Sequence, residues 1–188
     1  MLWIYTNKLG GGYSGEPSIF DDIKKDDVVM AFFPCTRFEG QNYMCAKGNN
    51  YGFRNWSIEK KIEYSRKNVK EIEQNYELFS KLVLIALKKG FKLICENPDT
   101  PRHVLKDFFP INAVLIDKDR RTRGDKYKKP TQYWFINCEP KHNFIWEAQH
   151  YIAKGKAIEE VGKVERSMIT KEYANRFIRE FILEQGEF

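Results

Sequence analysis

The sequence lacks close cysteine pairs. Cys35, Cys45, Cys95 and Cys138 are scattered over 188 residues with no CxxC spacing, which excludes a structural zinc knuckle or a dithiol redox motif and leaves free thiols as the expectation. It also lacks any run near the roughly 20 apolar residues that a membrane-spanning helix needs. Its N-terminus, "MLWIYTNK", has no charged-then-apolar layout of a secretory leader. A cytoplasmic protein without a membrane partner is expected. Internal repeats, low-complexity tracts and Gly/Pro-rich linkers are missing too, so residues 1–188 are expected to form a single domain.

What is present is a well-filled globular composition. Hydrophobic residues make up 42%, aromatics 15% and charged residues 31%, too apolar for a disordered chain. The formal charge is +6 and the pI about 9.0. That balance admits an acidic partner, nucleic acid being the commonest.

Five short apolar runs, 2–5, 28–33, 91–95, 113–116 and 133–138, read as strands. Most lack strict alternation, which suits strands covered on both faces. Between the second and third, apolar residues at 58, 62, 69, 72, 76, 79, 83 and 86 follow the spacing of one helix face. Ser57 is placed to cap that helix and Gly90 to end it. Strand, helix, strand is the unit of a parallel sheet. The expected fold is therefore α/β, a Rossmann-like three-layer sandwich with a mainly parallel sheet of about five strands. Thr100 and Pro101 predict the start of a short helix. Tyr173, Ala174, Phe177, Ile178, Phe181 and Ile182 predict an amphipathic C-terminal helix.

In such a sheet, ligands bind beyond the carboxyl ends of the strands. Three polar clusters fall there. They are Pro34-Cys35-Thr36-Arg37 after the second strand, Glu96-Asn97-Pro98 after the third, and Asp117 with a basic loop after the fourth. A thiol and a carboxylate are thus expected to face one crevice. The polar loop 42–55, with its glycines and aromatics, is long enough to be functional.

The order Pro34-Cys35, helix, Glu96-Asn97-Pro98 resembles DNA cytosine-5 methyltransferases, and specifically their shortened relatives in phages and bacterial mobile elements. The likeness runs through "FFPCTRF", "LICENP", "IDKDRRTRGDKYKKPTQYWFINCEP" and "RSMITKEYANRFIREFI". The resemblance implies Cys35 as nucleophile toward carbon 6 of a flipped cytosine, Glu96 at the ring nitrogen and amino edge, and Asn97 and Arg37 supporting the pocket. It implies S-adenosylmethionine as cofactor, for which Gly10, Gly11 and Gly12 in "LGGGYSG" are the candidate binding residues. Only 22 residues, 6–27, separate the first two strands. That is too few for the helices and strands of the family's adenosine-binding half, which is expected to be missing or rebuilt.

The stretch 118–129, "KDRRTRGDKYKK", holds seven basic residues among twelve. With Tyr127, Tyr133 and Trp134 as stacking faces, it is the expected nucleic-acid surface, through Arg37, Arg120, Arg121, Arg123, Lys126, Lys128, Lys129 and Tyr133. Three functions follow as expectations: a methyltransferase-like protein acting on DNA or RNA; a non-catalytic counter-defence protein that binds a host nucleoprotein, such as an anti-CRISPR or anti-restriction inhibitor; and a metal-dependent nuclease using Asp117 and Asp119 beside Glu96. No metal-ligand spacing stands out. A lone histidine, His103, begins the short helix.

Overall fold

The computed structural model describes residues 2–5, 20–33, 37–39, 51–145, 162, 165 and 168–184. Gly10, Gly11, Gly12, Pro34, Cys35 and Thr36, and the 42–50 part of the long loop, lie outside the described residues. Strands β1 (Leu2–Tyr5), β2 (Val28–Phe32), β3 (Lys92–Pro98), β4 (Leu115–Asp117) and β5 (Thr131–Ile136) form one open sheet in the order β1-β2-β3-β5-β4. Three α-helices accompany them among the described residues: α1 (Ile58–Lys89), α2 (Val104–Phe108) and α3 (Lys171–Phe181).

The sheet is mixed, which corrects the expectation of a mainly parallel one. β1 pairs with β2 and β2 with β3 in parallel, whereas β3 pairs with β5 and β4 with β5 antiparallel. The physical reason is the connection. A helix-long crossover, α1, links β2 to β3, but residues 118–130 between β4 and β5 hold only a short 3-10 turn, Arg120–Arg123. A link without a crossover helix returns the chain from the edge where it left, in the opposite direction.

Helix α1 forms where its capping chemistry predicts. The Ser57 hydroxyl accepts from the Lys60 N–H, and Gly90, at φ 77°, closes the other end with its N–H on the Ala86 carbonyl. A side chain at that φ is strained, so glycine is the residue for the turn into β3. Asn137, itself at φ 58°, donates its amide to the Ala86 and Phe91 carbonyls and fastens the same turn. The shorter α2 begins later than Thr100 and Pro101 suggest. His103 occupies its cap position without a side-chain bond, and the Thr100 hydroxyl turns instead to the Arg102 carbonyl.

The strand pleat divides the core. Val29, Ala31, Phe33, Leu93, Cys95, Trp134 and Ile136 pack against Phe79, Leu82, Val83 and Ala86 of α1 and Val104 and Leu105 of α2. Met30, Ile94, Tyr133 and Phe135 point the other way, onto Tyr173, Phe177 and Phe181 of α3. Each large side chain buried in these layers contributes roughly 1.5–3 kcal/mol. Trp134 also donates its indole N–H to the Ile111 carbonyl at 3.0 Å.

The apolar residues of α1 do not all reach the core. Ile58, Ile62 and Val69 are exposed, and although the polar Asn68 is buried, the fully buried apolar positions start at Phe79. A 32-residue helix is about 48 Å long and strands of five to seven residues span only about 17–23 Å, so the helix outruns the sheet it covers. Phe79 already meets Phe33, just past the end of β2, at 5.1 Å between ring centroids. Ile72 and Tyr76 still pack against this core, and the turns before them project past the carboxyl edge. Among the described residues, no helix is long and apolar enough to cross a membrane.

Candidate functional site

The carboxyl edge of β3 carries the site. In register across the sheet, Phe32 of β2 lies beside Glu96, Glu96 beside Tyr133 of β5, and Tyr133 beside Leu115 of β4. Alternation sends Glu96 to the α3 face with Ile94, and Asn97 to the α1 face with Cys95. The two adjacent polar residues thus serve opposite sides of the sheet.

On the α3 face, the 3-10 turn after β4 delivers an arginine inward. Asp119 caps the turn, accepting from the Arg121 N–H, and Gly124 ends it at φ 90° with its N–H on the Arg120 and Arg121 carbonyls. The Arg120 side chain is fully buried. Its guanidinium carbon sits 4.3 Å from the centre of the Tyr173 ring, pairs with the Asp125 carboxylate, and places Nη1 3.9 Å from Glu96 Oε1. Lys129 Nζ approaches the same Glu96 oxygen at 3.8 Å. Burial works against the charge on Arg120, but Tyr133, Tyr173, Asp125 and Glu96 outweigh it, so its pKa lies above the ordinary arginine value.

A second layer locks this arrangement to α3. Tyr173 donates to Asp117 Oδ2 at 3.1 Å, so its phenol oxygen accepts the proton of Tyr133 at 2.5 Å. Burial pushes both phenols well above the ordinary tyrosine range, which keeps them protonated donors. Arg123 places Nη1 3.0 Å from Asp117, donates through Nε and Nη2 to Glu180 at 2.8 Å each, and lies 5.0 Å from the Phe181 ring centre. The hydroxyl of Thr170, the α3 cap, donates to the Gly124 carbonyl. Turn and helix form one wall joined by hydrogen bonds and ion pairs.

Within that wall some polar atoms have no hydrogen-bond partner: Glu96 Oε1, and Nε and Nη1 of Arg120. A buried acceptor left without a donor costs roughly 1–3 kcal/mol. Glu96 is accordingly the group in this wall equipped to take an N–H from a ligand.

On the α1 face, Asn97 Oδ1 accepts from His103 Nε2 at 2.9 Å. An amide oxygen cannot donate, so the ring carries its proton on Nε2. Burial, aided by Lys106, lowers the His103 pKa to about 4 against the opposing effects of Asp107 and Asp99, and the ring is neutral. It packs near Phe38 and Trp134, while Val104 N–H donates to the Phe38 carbonyl and Glu39 bridges His103. Asn97 and His103 therefore anchor the segment 37–39 that follows Cys35. Asn97 does not share the crevice with Glu96.

The other expected site residues divide sharply. Arg37 is turned to Glu71 of α1, away from Glu96. Arg120 and Tyr133 are buried, as is Trp134, so none of the three offers a surface to a polynucleotide backbone. Of the seven cations in 118–129, four face carboxylates of the same chain: Arg120 with Asp125, Arg121 with Asp119, Arg123 with Asp117 and Glu180, and Lys129 with Glu96. The run folds inward. Lys118, Lys126 and Lys128 stay exposed, and Tyr127 bonds Glu165. The Arg121 partner holds the Asp119 carboxyl below its ordinary range.

Asp125, Tyr173 and Glu180 complete the wall without having been expected there. The sequence offers one signal for them, an aspartate inside a basic run, since a lone acid among cations marks a candidate internal ion pair. Cys95 is buried and its thiol is pushed up by desolvation, which suits packing and not nucleophilic attack. Among the described residues, no group of three or more His, Cys, Asp or Glu side chains is placed to hold a metal ion. Comparison with known proteins brings no relative to this site: no family model, no curated protein and no solved structure matches the chain.

Proposed function

We propose that this chain is a nucleic-acid-directed protein related in design to DNA cytosine-5 methyltransferases, and that Glu96 receives the polar edge of a base at the carboxyl side of the sheet. The observation that carries this reading is the buried Glu96 carboxylate, flanked by Arg120 and Lys129, with Oε1 lacking a hydrogen bond. An amino or ring N–H is the ligand group such an oxygen accepts. Cys35, the candidate nucleophile, lies outside the described residues, three positions in sequence after Phe32, the last residue of β2.

Among the described residues, β1 is the last strand on its side of the sheet, and the candidate glycines Gly10, Gly11 and Gly12 lie outside the described residues, so no step of the proposal runs through a methyl donor. The test is binding of single-stranded and duplex oligonucleotides, with and without cytosine, followed by fluorescence anisotropy. Glu96→Leu is expected to weaken cytosine-dependent binding about tenfold or more, because it removes the oxygen that accepts the base's amino N–H. Equal binding by the variant sinks the proposal.

A second reading takes its support from the 22 residues, 6–27, between the first two strands, too few for the family's adenosine-binding half. In it, the scaffold binds a host nucleoprotein as a counter-defence inhibitor and performs no catalysis. Cys35→Ala then leaves inhibition intact, while charge reversal at Lys118, Lys126 and Lys128 abolishes it. Loss of activity in the cysteine variant alone counts against that reading.

A further inference from the structure

Ten large hydrophobic side chains stand exposed among the described residues, and five of them belong to α1: Ile58, Ile62, Val69, Leu84 and Leu87, each between 50% and 66% exposed. At about 100° per residue, these five positions fall within about 80° of helix circumference, beside the face that α1 buries against the sheet. Ile58 and Ile62 form a block in the first turns, Leu84 and Leu87 one in the last, and Val69 lies between them near the middle of the helix. A surface helix needs no such stripe for its own fold, and half of the exposed large apolar residues gathered on one line mark a contact surface.

The flank next to the stripe, facing away from the body, is charged in alternating pairs. Glu59 and Glu63 are followed by Arg66 and Lys70, then by Glu73 and Glu77, then by Lys81 and Lys88. All eight are exposed, and Glu77 and Lys81 already pair with each other at 2.7 Å.

We propose that a second copy of this chain packs antiparallel along α1, about a two-fold axis passing between residues 71 and 72. Two independent patterns place the axis there. For the charges, that axis sets Lys70 against Glu73 of the other copy, Arg66 against its Glu77, and Glu63 near its Lys81, each pair occurring twice. For the apolar blocks, the same axis lays Ile58 and Ile62 of one copy against Leu84 and Leu87 of the other. An antiparallel two-fold brings a flank against its own copy run backwards. A parallel pair brings it against the opposite flank, which here is turned to the body of its own subunit, and the charges then find no counterpart.

Sedimentation velocity of the full chain over about 1 to 100 µM tests this. The wild type is expected to shift from monomer to dimer within that range. Ile62→Glu and Leu84→Glu should each weaken the dimer at least about tenfold. Arg66→Glu should weaken it several-fold, and Arg66→Glu combined with Glu77→Arg should restore it, because the swap re-creates the pair across the axis. All four positions are exposed, and circular dichroism confirms that each variant retains the fold. A monomer throughout the range overturns the proposal. A dimer unaffected by the substitutions, or a double swap no better than the single one, overturns it equally.

Discussion

Acidification should destabilise this protein through one residue. His103 is buried against Phe38 and Trp134, spends its Nε2 proton on Asn97, and has a pKa lowered to about 4 from the ordinary 6.5. In the unfolded chain the ring regains the ordinary value and takes up a proton below about pH 6.5, whereas the folded chain resists until about pH 4. Between those limits the unfolded state binds more protons, so stability falls as the pH drops and the loss is complete below about pH 4. The full shift corresponds to about 3 kcal/mol, of which about 2 kcal/mol is already lost at pH 5. Carboxylates titrate in the same range, and the comparison must remove them. Urea denaturation at pH 7.5 and pH 5 of wild type and His103→Gln does so, since glutamine keeps a donor for Asn97 but has no proton to gain. The variant should lose about 2 kcal/mol less than the wild type between the two conditions. Equal losses in the two proteins, or a His103 ring titrating near 6.5 by NMR, refute the reasoning.

Two further substitutions probe the wall around Glu96. Gly124→Ala forces a side chain onto φ 90°, and its Cβ would stand 2.9 Å from Cβ of Glu172, so a loss of about 2 kcal/mol or more is expected in the urea midpoint. Arg120→Met leaves the buried Asp125 and Glu96 carboxylates without their shared cation and should cost about 3–5 kcal/mol. Arg120→Met combined with Asp125→Asn should cost less than Arg120→Met alone, because an unpaired buried charge is more damaging than a missing pair; a larger loss in the double variant refutes the ion-pair account.

What could be read in advance follows from how local each feature is. The bounds of α1 were legible because Ser57 and Gly90 act on their nearest neighbours, and the α3 stripe because Tyr173, Phe177 and Phe181 repeat at helical spacing. The direction of β5 was not, since the pattern of a strand is the same read toward either edge. The end of β3 was placed at Cys95, yet pairing continues through Glu96 and Asn97 to Pro98, because Tyr133, Gln132 and Thr131 supply the partner backbone. The fate of the basic run was hidden for a similar reason. Whether an arginine is solvated or buried depends on distant residues such as Tyr173 and Glu180, which no local spacing reveals.

The reversal of β5 is what builds the site. β4 ends at Asp117 on the carboxyl edge, and because β5 runs backwards it begins, at Thr131, on that same edge, opposite Asp117 itself. Residues 118–130 therefore never leave the neighbourhood of Glu96. Had β5 been parallel, the same stretch would have had to carry the chain to the far edge, and Arg120, Arg123, Asp125 and Lys129 could not all have stayed at one end. Tyr133 then falls in register beside Glu96 and hands its hydroxyl to Tyr173, which draws α3 against the turn. Arg120 and Lys129 thus converge on Glu96 because of strand direction, and four of the seven cations of 118–129 are accounted for first by internal pairing. Any claim that this loop meets nucleic acid must accordingly rest on Lys118, Lys126 and Lys128, the three that the fold leaves exposed.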